Sequence, residues 1–210
     1  MKNLRLIILL FLIASCGKVL KTHVKGKVLN PVTGQGIENV RVILQKSGSG
    51  IPSGLKTVEA VYTDAGGNFD ISARTLKGLT ASVVLDVNEY YSIGWQKDGE
   101  VYSILSPKKG NVTNADFHAV PFGDYQISII NNSCNGVGDT IVIIAQNEVN
   151  SFLGNEWVLG GCVNKITAVS EVPMGNIHTI YTVKKLGVTT VYETDFMVQP
   201  GQLNVQVINY

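Results

Sequence analysis

Short runs in which apolar and polar residues alternate recur along the chain, and no long stretch keeps the period of about 3.6 residues expected of an amphipathic helix. The runs are rich in Val, Ile, Thr and Tyr. Gly, Asn, Asp and Pro separate them at roughly the 8–12-residue spacing of all-β sandwiches. The pattern predicts strands over 23–29, 40–46, 58–63, 68–73, 80–87, 90–95 and 116–120, enough for one sandwich. Asn30-Pro31, Thr33-Gly34 and Asp64-Ala65-Gly66-Gly67-Asn68 read as turns, with Gly, Asn or Pro where unusual backbone angles are needed. The stretch 47–54, SGSGIPSG, reads as a flexible surface loop.

Pro121-Phe122-Gly123 reads as a boundary, after which the pattern restarts over 125–131, 140–146, 163–169, 175–184, 188–198 and 203–208. The last of these alternates most cleanly, with Leu203, Val205 and Val207 on one face and Asn204 and Gln206 on the other. Lys185-Leu186-Gly187 is expected to form a hairpin turn, and Pro200-Gly201 a second turn. The expectation is therefore an all-β chain of two tandem β-sandwich domains, 23–120 and 122–210, set end to end. The second is described as immunoglobulin-like.

The N-terminus, MKNLRLIILLFLIASC, differs from the rest. Lys2 and Arg5 precede an unbroken apolar run over 6–14, too short to span a bilayer as a helix and the right size for a signal-peptide core. Ile13-Ala14-Ser15-Cys16 resembles the lipobox of bacterial lipoproteins. That resemblance implies cleavage of residues 1–15 and acylation, palmitate included, of Cys16, followed by a short linker over 16–22. Several acyl chains on one cysteine hold a protein at a membrane essentially permanently. Gly17 stands where an Asp would resemble an inner-membrane retention signal, and no acidic cluster resembling a surface-export tag follows. The expected location is the outer membrane, lipid-anchored, on the periplasmic face.

Composition excludes two other classes. The chain has 210 residues, 45% hydrophobic and 16% charged, with a net charge of +1. That excludes a charge-rich disordered chain and supplies no basic footprint for nucleic acid. With Cys16 acylated, Cys134 and Cys162 remain in a compartment that permits oxidation. A single disulfide is the economical reading, worth roughly 3–4 kcal/mol by loop-closure arithmetic. Free buried thiols, a redox pair and a metal site are the alternatives; no C-x-x-C and no nearby His favour the last two.

Within 24–72, Val24-Lys25-Gly26-Lys27-Val28 is followed by Thr33-Gly34-Gln35-Gly36-Ile37-Glu38-Asn39-Val40-Arg41-Val42 and by Tyr62-Thr63-Asp64-Ala65-Gly66-Gly67-Asn68-Phe69. This resembles the carboxypeptidase regulatory-like family of transthyretin-like β-sandwiches. The resemblance implies a fold and a location rather than an activity, and the chain contains no peptidase domain for such a module to accompany. Some Gram-positive relatives form Lys–Asn isopeptide crosslinks; Lys25 and Lys27 lie in the first strand, but no partner is evident and the domain is expected to be unlinked.

Catalytic patterns are missing. None of His23, His118 and His178 opens an H-x-x-E or H-E-x-x-H, and there is no G-x-S-x-G, dinucleotide loop or P-loop. Asp64, Asn68 and Asp70 crowd one turn, which turn chemistry explains without calcium. No metal or cofactor is expected. Asp139-Thr140-Ile141 resembles the acceptor of Bacteroidetes O-glycosylation, at Thr140. Tyr90, Tyr91, Trp95 and Tyr102 cluster closely enough to suggest a ligand-contact platform, with core packing as the plainer reading. The functional expectation is a membrane-anchored, non-enzymatic envelope lipoprotein that binds or assembles through protein or glycan contact. The alternative is a hydrolytic enzyme whose site is assembled from distant residues between the domains.

Overall fold

A computed structural model describes residues 19–47, 54–150 and 156–210. The signal segment and Cys16 lie outside the described residues, as does most of the expected loop at 47–54. The fold is all-β, with sixteen strands and no helix among the described residues. The chain divides into two compact units. One comprises the described residues through Val28, then Ile37–Val84 and Trp95–Asp116; the other comprises Leu29–Gly36, Leu85–Gly94 and Phe117–Tyr210.

The first unit is built on β1 (Leu20–Leu29), which pairs antiparallel with β4 (Asn68–Thr75) and parallel with β8 (Val112–Asn114). A three-stranded antiparallel sheet is formed by β2 (Arg41–Ser47) between β3 (Leu55–Tyr62) and β5 (Thr80–Val84). β6 (Tyr90–Lys97) forms a hairpin with β7 (Glu100–Tyr102). Alternation along β1 and β4 sends Val24, Val28, Phe69 and Ile71 inward, where they are buried with Val42 and Leu44. Trp95 joins them, its ring edge-on to Phe69 at 6.0 Å. Gly26, between Val24 and Val28, has a steric reason to be glycine: a Cβ there would lie 1.9 Å from the Ala115 carbonyl oxygen. The expected linker to the anchor is shorter than the sequence suggests, because Leu20, Lys21 and Thr22 already belong to β1.

In the second unit, β9 (Asp116–Ile130) pairs parallel with β16 (Leu203–Asn209) and antiparallel with β12 (Asn164–Ile166) and β13 (Ser170–Pro173). A second sheet runs in the order β11 (Glu156–Gly160), β10 (Thr140–Asn147), β14 (Gly175–Lys185), β15 (Val188–Val198). Tyr125, Ile127 and Ile129 from the first sheet meet Ile141, Ile143 and Ile177 from the other in one buried cluster, which makes the unit a sandwich. Cys134 and Cys162 are joined as a disulfide, Cα atoms 5.2 Å apart, tying the loop after β9 to the loop after β11. Leu186 and Gly187, both at positive φ (49° and 82°), make the tight turn between β14 and β15.

Three sequence expectations change. Pro121-Phe122-Gly123 is not a break: β9 runs through it. Gly123 is there for close approach, since a Cβ would fall 2.4 Å from the Gln199 carbonyl oxygen. Strands β7, β8, β11 and β13, each of five residues or fewer, form where the sequence pattern predicts none. Finally, β16 alternates as expected but with its faces reversed. Alternation ordinarily turns the apolar side inward, yet Asn204 and Gln206 are buried (6% and 3% exposed) while Leu203 and Val207 face solvent (52% and 55%).

Candidate binding surfaces

The reversal in β16 follows from hydrogen bonds that await those amides. Tyr125 Oη donates to Gln206 Oε1, and Thr179 Oγ1 donates to the same oxygen at 3.2 Å. Asn204 Oδ1 accepts from Gln199 N, and its Nδ2 donates to the carbonyls of Asp124, Gln199 and Gln202, closing the turn into the strand. Burying an amide is tolerable when partners replace water. Burial pushes the Tyr125 phenol well above the ordinary tyrosine range.

Beside this core the sandwich opens. A groove of about 550 Å³ has Tyr125 and Ile129 in its floor, Trp157 and Leu159 on the β11 side, and Ile166 and Ala168 on the β12 side. Trp157 and Leu159 share their strand face with Ile143 and Ile141 across the ladder, so they point between the sheets. Val158 and Ile166 are exposed at the rim, with Glu156 and Lys165 as the charged groups. Both flanking strands are edges: β11 pairs with β10 alone and β12 with β9 alone among the described residues. Such a groove presents apolar depth and free backbone groups together, the chemistry that receives an extended peptide.

A second groove, of about 510 Å³, lies in the first unit. Lys25, Lys27 and Lys97 line it with Asp70, Asp98 and Asp116, so its charges balance. Its acids are largely engaged locally: Asp70 with His23 Nε2 at 2.6 Å, Asp98 with Lys97 at 3.1 Å, and Asp116 accepting from Lys27 N at 2.8 Å. Balanced charge with its acids engaged nearby leaves little field for a ligand of either sign.

The residues singled out in the sequence are scattered. Trp95 is fully buried and fills the core, so no platform of four aromatics exists. Tyr91 packs edge-on to Phe122 at 6.3 Å, Tyr90 is half-buried, and Tyr102 is exposed with its hydroxyl on Glu100 at 2.6 Å. Thr140 opens β10, half-buried. Its neighbour Asp139 accepts from Asn135 N and Asn131 Nδ2, which hold that carboxyl below the usual range. Asp64 accepts from the Asn68 side-chain amide and from the backbone of Asn68 and Gly66, which likewise holds it low and accounts for the turn. His178 Nδ1 meets Asp195 at 2.8 Å on an exposed sheet face, away from any cleft described here. Among the described residues no three His, Cys, Asp or Glu side chains gather as metal ligands. Trp157 has no sequence signal beyond a short E-W-V-L-G run between two loops.

No family model and no curated protein matches the sequence. Among solved structures, the chain is similar to a DUF3823 family protein from Bacteroides uniformis (12% identity, 86% of this chain and 99% of that one, TM-score 0.33). It is also similar to a streptococcal ancillary pilin (14%, 90% and 62%, 0.33) and to the Bacillus anthracis TIE protein (16%, 90% and 34%, 0.36). The chain spans about a third of the last of these, and less than two thirds of the pilin. Every one of these scores is below 0.5, and the likenesses carry no functional argument.

Proposed function

We propose that the protein is a lipid-anchored, non-enzymatic module of the bacterial cell envelope, held by Cys16 at the periplasmic face of the outer membrane, whose second unit binds an extended polypeptide segment of an envelope partner. The observation that carries the binding half is the groove between β11 and β12, apolar in depth and bounded by two strand edges that are unpaired among the described residues. An added strand gains main-chain hydrogen bonds from an edge and places alternate side chains over Tyr125, Ile129 and Trp157. The anchoring half rests on the lipobox at 13–16, and the first unit rests on its resemblance to the carboxypeptidase regulatory-like sandwich. In this reading that unit is a spacer domain with no chemistry of its own.

The test places a photo-crosslinking residue at Val158, on the groove rim, in cells producing the full chain, with Val84 as the control position. The expected result is one reproducible adduct from position 158. Its crosslinked peptide is an extended stretch of alternating apolar residues, and Trp157→Ala abolishes it. Equal adducts from both positions, or retention on envelope glycan in place of any protein adduct, would contradict the reading.

A further inference from the structure

Among the described residues, five strands of the second unit pair on one side only: β11, β12, β13, β15 and β16. Exposed strand edges are templates for unwanted pairing, and charged side chains are the usual safeguard. β11 carries Glu156, β12 Lys165, β13 Glu171, and β15 Glu193 and Asp195. β16 carries none, and residues 199–210 include no charged side chain at all. The same strand turns Leu203, Val205 and Val207 to solvent. Gln206 Nε2, buried, has no acceptor. An edge that is uncharged, apolar and short of one hydrogen bond is built to be covered.

We propose that its occupant is a second copy of the chain, with two β16 strands pairing antiparallel about a two-fold axis at Val205. About a two-fold axis the residue on the axis meets its own copy and like charges flanking it meet like charges, so an edge without charge is the one that a two-fold contact tolerates most readily. The sequence L-N-V-Q-V matches itself in this register. On the outer face Val205 meets Val205 of the second copy, and Leu203 meets its Val207. On the inner face Asn204 meets its Gln206, which brings an amide oxygen opposite the orphaned Nε2 donor. The parallel partner β9 stays in place on the other side, so the sheet continues from one copy into the next.

The test uses the full chain purified in detergent. Sedimentation velocity is expected to show a dimer that dissociates on dilution. Val205→Lys weakens it by about tenfold or more, because two ammonium groups then face each other. Mixing chains carrying Val205→Lys with chains carrying Val205→Glu restores association, a rescue that a misfolded variant would not show. Opposed residues in an antiparallel pair have Cα atoms about 4.5–5.5 Å apart, within disulfide reach. Val205→Cys therefore forms a covalent dimer on mild oxidation, whereas the parent chain and Val191→Cys, on the charged edge β15, do not. A wild-type chain that stays monomeric at every concentration, a Val205→Lys chain that dimerises as well as the parent, or Val205→Cys crosslinking no more than Val191→Cys would each overturn the proposal.

Discussion

Strands β10 and β16 belong to the same sandwich and read alike, yet they bury opposite kinds of residue. In β10 the inward set is Ile141, Ile143 and Ala145, with Asn147 at the end. In β16 it is Asn204, Gln206 and Ile208, while three aliphatic residues face out. β10 is central and paired on both sides; Ile141, Ile143 and Ala145 belong to the buried apolar cluster, and Asn147 Nδ2 donates to the Pro173 carbonyl. β16 is an edge, and its inward positions meet the Tyr125 and Thr179 hydroxyls and the carbonyls of the 199–204 turn. Periodicity thus says that a strand has two faces. Which face is buried depends on what the rest of the fold offers, and hydroxyl groups on the neighbouring strand β9 and on the opposing sheet can outweigh the preference for burying valine.

The largest expected effect that would break this contrast is Ile143→Ala, which leaves a cavity in the middle of β10. It should cost about 2–5 kcal/mol in denaturant unfolding. A loss near zero would mean that the two strands are equally peripheral. Next comes Gln206→Leu, which gives β16 the apolar inward face that sequence alone would favour. It strands two buried hydroxyls and should destabilise by about 1–3 kcal/mol. Combining it with Tyr125→Phe should recover part of that loss in a double-mutant cycle; strict additivity would show that the hydroxyl and the amide do not interact.

The pH dependence sharpens the same point. Burial raises the folded-state pKa of Tyr125 above the value of about 10 for an unfolded tyrosine. The stability it contributes is full below about pH 10 and is lost as pH climbs from there towards the folded value. Tyr125→Phe should flatten that alkaline decline in thermal melts, and an unchanged decline would place its cause elsewhere. Smallest of all, Leu203→Ala on the outer face should shift the stability of the dilute, monomeric protein by less than about 0.5 kcal/mol. A shift comparable to that of Ile143→Ala would show that the outer face is packed after all.

Much of the fold was legible in the sequence. Long strands such as β1, β10, β14 and β15 have enough alternating positions to show their period, and Leu186-Gly187 announced its hairpin. What the sequence hid has physical reasons. Three-residue strands such as β7 and β8 are too short to display any period. Pro121 and Gly123 carry turn chemistry in composition, yet Gly123 serves a backbone contact with Gln199 inside a continuous strand. The candidate site was less legible. The aromatic density at 90–102 reflected core packing at Trp95, whereas Trp157 gains its position only when β11 and β12 are brought to opposite walls of the sandwich.

Groove and pairing edge alike belong, on the lipobox at 13–16, to a protein expected at a membrane, and the state of Cys16 tests this directly. Intact-mass analysis of the protein recovered from the envelope, with sequencing of its N-terminal peptide, would report the state of Cys16. The expected chain begins at Cys16, carries a diacylglyceryl group and an N-terminal acyl chain, and is found entirely with the outer membrane. A freely soluble chain with an unmodified N-terminus would contradict it.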